Sequence, residues 1–316
     1  MDMLTLTCPQ CGGALPRQAL WRSVTCTYCS ANVTRGEDVV PAARFREAYL
    51  RAEAAHAGMD TIACGAHHYK RIANLGSGDS ATVMLGERTG AFGERVVLKM
   101  ARADTPPGHL QREKDVLDQL QADRSPGAAY FSQRLPQPIS IGTSAAGGLP
   151  QPTLVLRSPS GYWGSLADVK RNYPGGIDPR HAVWMWRRVL EVLAHVHAIG
   201  WAHCKLTPEH LLVQPRDHGI LIISWAAARK DVHLQGRDLA QSAWAIRTML
   251  TDAPGQPSTA CGTPAALAAL LEQASTDSAW SAGQGAHGLN QLLGRAAHEA
   301  FGPARFVHFS PTPSPT

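Results

Sequence analysis

Two cysteine pairs, Cys8-x2-Cys11 and Cys26-x2-Cys29, stand 14 residues apart within the first 29 positions and constrain this chain more tightly than anything else in it. Two such knuckles at this spacing match a four-cysteine zinc site. Glycines 12 and 13 let the first knuckle turn tightly. Zinc has no d-electron geometry of its own to impose and accepts the tetrahedral thiolate cage that results. With every position taken by protein, none is left for water, so the expected Zn2+ is structural rather than catalytic. Metal binding then supplies most of the folding free energy of so small a unit, a zinc ribbon over residues 1–36. Cys64, His67 and His68 make no complete ligand set and read as linker rather than a second metal site.

The rest of the chain is long enough for a core without disulfides: 316 residues, 44% hydrophobic and 17% charged. Seven cysteines, an odd number with four in the ribbon, argue against a disulfide framework and for reduced thiols in a cytoplasmic protein. The first ten residues, MDMLTLTCPQ, have neither a basic start nor an apolar centre, so no secretory signal is read there. The longest apolar run, GILIISWAAA at 219–228, is half the ~20 residues of a membrane helix, and no membrane partner is expected. Net charge is +5 with no lysine or arginine block, which does not favour nucleic acid. Arg17, Trp21 and Arg22 between the knuckles are too few for a nucleic-acid surface. The expected partner is a protein. Trp184 and Trp186, two apart on one predicted helix, point to different faces, which puts one of them at the surface.

A helical linker over 37–66, with its helix at 41–57, leads to HHYKRIANLGSGDSATVMLGE (67–87), which reads as strand, glycine-rich turn, strand. RTGAFGERVVLKMAR (88–102) is a turn and a β-branched strand ending near Lys99. The stretch 108–121 is helical, with Leu110, Glu113, Leu117 and Leu120 on one face. TLVLRSP (153–159) is a buried strand, GSLADVKR a short helix, and 178–200 a long helix with proline near its start and glycine at its end. A hairpin (211–225) and helices at 236–251, 262–275 and 287–301 follow, and residues 305–316 are too polar and proline-rich to fold.

In this order the motifs resemble those of the protein kinase family. LGSGDSATV (75–83) is similar to the family's glycine-rich loop, with Gly76, Gly78 and Val83 matching and Ala81 in place of the third glycine. Lys99 follows Gly76 by 23 residues, as the phosphate-pairing lysine does, and Glu113 is its implied ion-pair partner. Leu156 falls near the gatekeeper position, and Arg157 and Ser158 fall in the hinge. The resemblance implies an α+β, bilobal protein kinase-like fold over 67–304, with a β-rich N-lobe to 157 and a helical C-lobe from 158. Its implied nucleotide-binding residues are Gly76, Gly78, Val83, Lys99, Glu113, Leu156 and Ser158.

The catalytic loop departs from the family. In HCKLTPEHLLV (203–213), Lys205 stands at the catalytic aspartate and His210 at the metal-binding asparagine. Ser224–Trp225–Ala226 stand where D-F-G belongs. Asp217–His218–Gly219 spells like that motif but lies seven residues after His210, too few for a strand out and back. It reads instead as a hairpin tip with Gly219 supplying the turn. Loss of a general base alone costs about 10²–10⁴ in rate. Phosphoryl transfer rests mainly on positioning and metal charge, and a histidine nitrogen or a neutral serine hydroxyl is a poorer magnesium ligand than a carboxylate. Only 11 residues separate Ala226 from Asp238, with no A-P-E motif between them. Asp238 matches the family's buried aspartate that ties down the catalytic loop.

The implied protein is a catalytically impaired kinase relative, a pseudokinase acting as regulatory or scaffolding module. Any ATP binding is expected to be weak and independent of magnesium, with Lys205 either taking over part of the metal's charge or standing as a solvated lysine in a collapsed pocket. Two alternatives stand beside it: an active Ser/Thr kinase or other ATP-dependent transferase using acids such as Asp79, Glu209 or Asp217, and a ribbon-based adaptor for nucleic acid or protein. A ribbon ahead of a degraded kinase domain, in a chain rich in Ala, Arg and Gly, resembles a bacterial signalling regulator.

Overall fold

The computed structural model describes residues 23–28, 30, 32–34, 46–47, 50–51, 54, 58–90, 93–144, 150–251 and 262–313. Cys8, Cys11, Cys29 and most of the expected linker helix lie outside the described residues. Within that helix Glu47 and Arg51 are helical and pair one turn apart. Strands β1 (Ser23–Thr25) and β2 (Asn32–Thr34) form a short antiparallel hairpin. Two compact units make up the chain: residues 1–3, 37–123 and 136–160 in the first, and 4–36, 124–135 and 161–316 in the second.

The first unit is a closed barrel of six strands: β3 (Thr61–Cys64), β4 (His67–Ser77), β5 (Ala81–Arg88), β6 (Arg95–Ala101), β7 (Pro138–Ser144) and β8 (Gln151–Arg157), in the order β3-β4-β5-β6-β8-β7. It begins six residues before the expected boundary at 67, and the CGAHH segment assigned to a linker is a hairpin: Cys64 pairs with His67 across Gly65. Alternation explains the interior. Val96 and Leu98 of β6 point inward with Ile62, Cys64, Tyr69 and Val155, while Val97 and Lys99 point outward. Closure occurs where Cys64 pairs with Ser144. Gly142 permits it, because a Cβ there would come within 3.2 Å of both Cys64 Sγ and the Gly65 amide. Helix α1 (His109–Gln121) packs on β7 and β8 with the predicted stripe of Leu110, Glu113, Leu117 and Leu120, plus Val116, buried.

The second unit is mainly helical. Helix α2 (Ala128–Phe131) precedes the sheet β11-β10-β9, built from β9 (Gly164–Ser165), β10 (Leu211–Gln214) and β11 (Gly219–Ile222). Helix α3 (Leu166–Asn172) opens on a reciprocal cap between Ser165 and Asp168. Helix α4 (Pro179–Ala198) starts at the Asp178 cap and stops at Gly200, whose φ is +84°, as its sequence boundaries implied. Helices α5 (Gln235–Thr248), α6 (Ala265–Thr276) and α7 (Ser278–Phe301) pack on one another. Helix α7 starts nine residues before the expected 287, because Gly285 breaks the helical backbone without ending the element. No helix of the described residues is long and apolar enough to cross a membrane.

Four expectations are corrected in this unit. His218, with φ +54°, takes the left-handed turn position that had been assigned to Gly219, and Gly219 instead opens β11. The Asp217 side chain makes this possible by accepting the Gly219 amide at 2.9 Å. Trp184 and Trp186 are both buried, since α4 is surrounded, whereas Trp163 and Trp244 are exposed. Residues 305–313 of the tail are placed against the unit: Phe309 is buried, and Tyr173 and Asn172 donate to the carbonyls of Ser310 and Pro311. Residues 124–135, which had been counted with the β-rich part, group with the helical unit.

The second knuckle packs onto this helical unit. Tyr28 is buried edge-on against Trp184 and Phe306, its hydroxyl donates to the Asp217 carbonyl, and Arg188 both covers its ring and donates to Thr27. Beside it His218 is fully buried, 2.9 Å from His181. Burial, then the neighbouring His181, Arg188 and His308, push its pKa down to about 3, so it is neutral in the folded protein.

Candidate functional site

In the barrel, three of the predicted site residues sit side by side because the strands are in register. Gly76 pairs with Val83, Val83 with Lys99, and Lys99 with Leu154, two residues from Leu156 on the same outward face. The glycine-rich segment is the β4–β5 hairpin tip. Gly76 has φ +153°, a conformation that favours glycine, and its amide is held by Asn74 Oδ1 at 3.1 Å. Gly78 donates to the Ala81 carbonyl at 2.9 Å, and a Cβ at Gly78 would meet open space. Ala81, where the family pattern has its third glycine, is already inside β5 and buried, so its methyl packs rather than blocks.

Lys99 Nζ donates to Glu113 Oε2 at 2.5 Å, with the lysine 8% and the glutamate 1% exposed. The pair joins β6 to α1 and satisfies the one carboxylate in the helix's buried stripe. Ser158, past the end of β8, donates its amide to the Arg95 carbonyl at 3.1 Å and continues the pairing with β6.

In the helical unit Asp238 organises the loop that holds Lys205. Fully buried in the first turn of α5, its carboxylate accepts the amides of His203 at 2.6 Å and Cys204 at 2.7 Å, together with His197 Nε2 at 3.1 Å. These bonds hold Cys204 at φ +68°, a left-handed conformation that a side chain adopts only when its surroundings impose it. His203 Nε2 donates to the Ile223 carbonyl at 2.9 Å, and Trp225 packs edge-on against its ring.

Lys205, His210 and the residue before Ser224 are linked by hydrogen bonds. His210 Nδ1 lies 2.7 Å from the Lys205 carbonyl, and the Ile223 amide, next to Ser224, donates to the His210 carbonyl at 2.9 Å. A carbonyl only accepts, so His210 carries its proton on Nδ1. Lys205 is exposed, and Ser224 is left-handed at φ +68°, leading a turn of 3₁₀ helix over Trp225–Ala227. Two residues that sequence reasoning missed complete the frame: His197, and Gln241, whose side chain accepts the Leu206 amide at 2.9 Å. The signal for Gln241 was its place three residues after Asp238 on one helical face.

Cys26 is the one predicted zinc ligand among the described residues. It is buried, and the Tyr28 amide donates to its Sγ at 3.4 Å, an arrangement that suits a thiolate acceptor. Among the described residues no group of three or more His, Cys, Asp or Glu is placed to hold a metal ion.

No family model matches the chain, and no curated protein matches it. Among the solved structures that do match is the crystal structure of a kinase domain, at 15% identity and a TM-score of 0.46, over 58% of this chain and 64% of that one. The chain therefore spans a little under two thirds of the kinase domain it resembles.

Proposed function

We propose that this protein is a kinase-like regulatory or scaffolding module with impaired phosphoryl transfer, which binds ATP weakly and without magnesium. One contrast carries the reading: the buried Lys99–Glu113 pair is intact, while the loop that Asp238 holds in place presents Lys205 and His210, and Ser224 follows β11. The first is what a nucleotide site needs to orient phosphates. The second lacks the carboxylate and amide oxygens that would hold magnesium and accept the substrate proton. The fixed ammonium of Lys205 is the group that stands in for metal charge.

A thermal-shift series with ATP, with and without magnesium, tests this. Stabilisation of similar size in both series, absent in Lys99→Ala, is the expected result. Strict magnesium dependence, or phosphate incorporation from labelled ATP that disappears in Lys99→Ala, would overturn it.

The ribbon's role in this reading is structural. Cys8, Cys11, Cys26 and Cys29 hold Zn2+, and Thr27 and Tyr28 brace the second knuckle on α4 and the hairpin tip. Removing the metal with a chelator is expected to lower the melting temperature seen by tryptophan fluorescence, an effect that Tyr28→Ala reproduces without chelator. An unchanged melting curve after proven metal loss would sink the assignment.

A further inference from the structure

We infer that the helical unit carries a second ligand site, a cavity that takes a small organic anion with an apolar body and a carboxylate or phosphate group. The cavity measures about 890 Å³, within the range of small-molecule sites. Two helices line it with matching stripes at i, i+3, i+4 and i+7. Helix α4 contributes Arg180, Val183, Trp184 and Arg187; helix α7 contributes Gly294, Ala297, His298 and Phe301. The volume exists because α7 offers small residues where the helices would otherwise interdigitate, and a Cβ built on Gly294 meets nothing within 4 Å.

The polar groups converge with one sign of charge. The lining carboxylate, Asp178, is consumed by Arg180, whose Nη2 and Nε lie 2.5 and 3.0 Å from its oxygens and whose hydrogen bonds hold its pKa below the usual carboxylate range. Among the described residues Arg187 has no such acceptor. Its Nε is shielded from solvent and without a hydrogen-bond partner among the described residues, while its guanidinium lies 5.3 Å from the Trp184 ring centroid. Glu191 offsets part of its charge but gives it no hydrogen bond, since both Glu191 oxygens are bound by Arg188 and one also by Arg134. Arg187 lines the cavity and its guanidinium makes no hydrogen bond among the described residues, so an anion in the cavity would supply a charge-assisted acceptor. Arg305 and His298 add donors beside the cavity, and Val183, Trp184 and Phe301 supply the apolar wall.

The test uses the full-length protein and two probes with the same aromatic body: 8-anilino-1-naphthalenesulfonate, which is anionic, and the uncharged N-phenyl-1-naphthylamine. Fluorescence titration is expected to show one saturable site per chain for the sulfonate. Arg187→Gln should weaken it about tenfold to a hundredfold, the range of a lost charge-assisted hydrogen bond, and leave the neutral probe unchanged. Gly294→Leu fills the cavity with a better helix former, so binding of both probes should be lost with the melting temperature equal or higher. Absence of saturable sulfonate binding, several equivalent sites, or equal affinity in the wild type and Gly294→Leu would overturn the inference. So would equal weakening of both probes by Arg187→Gln.

Discussion

Replacing Glu113 with leucine is expected to destabilise the barrel unit by about 3–5 kcal/mol, the cost of leaving a buried charge without its partner. Lys99 is 8% exposed and its ammonium reaches Glu113 Oε2 at 2.5 Å, so the substitution leaves a largely buried ammonium without that carboxylate. Lys99→Met leaves the reciprocal problem in a carboxylate that is 1% exposed. The double substitution Lys99→Met/Glu113→Leu should recover most of the loss, since well-packed apolar side chains replace a buried pair at little net cost. All eight tryptophans lie outside this unit, so hydrogen exchange of the β6 amides is the appropriate measurement. A double variant that matches the wild type in stability but no longer responds to ATP would assign the pair to binding rather than to folding. Single variants that cost less than about 1 kcal/mol would mean that the pair is solvated.

In the helical unit, Asp238→Ala is expected to cost about 3–5 kcal/mol, because it strands the buried amides of His203 and Cys204 together with His197 Nε2. The loss is not confined to bonds. Cys204 keeps its left-handed conformation only while its amide is held, so the loop from Ala202 to His210 should relax and carry Lys205 and His210 with it. Asp238→Asn keeps one accepting oxygen and turns an NH2 toward a donor, so an intermediate cost is expected. Tryptophan fluorescence reads this directly, since Trp201 and Trp225 are buried on either side of the loop. Unfolding curves of Asp238→Ala within about 1 kcal/mol of wild type would mean that water replaces the carboxylate there.

The chemistry-bearing positions were legible because each is a local statement. Gly76 and Gly78 mark a turn whatever surrounds them, and a glutamate three residues after Leu110 on an apolar stripe calls for a cation. Lys205, His210 and Ser224 stand out once the resembling family's loop pattern is laid on the sequence. Asp238 was legible as a buried acid, but its service to two successive amides was not, because that depends on a left-handed Cys204 which no residue type announces. His218 misled for a similar reason. Glycine is the default occupant of a left-handed turn, yet Asp217 caps the Gly219 amide and packing around the imidazole makes His218 the better fit.

By itself the sequence determined the order and kind of the elements, since apolar periodicity and terminal Pro, Gly and Asp signals act over a few residues. Tertiary structure alone decided what distant segments do for one another. Closing the barrel takes Cys64 to Ser144 with Gly142 leaving room for the crossing. Docking of the knuckle joins Tyr28 to Asp217 across 189 residues. The burial of Phe309, and the cavity left where Gly294 fails to fill the space beside Arg187, belong to the same class. Each depends on shape complementarity between surfaces that meet only after folding, and local periodicity has no access to that.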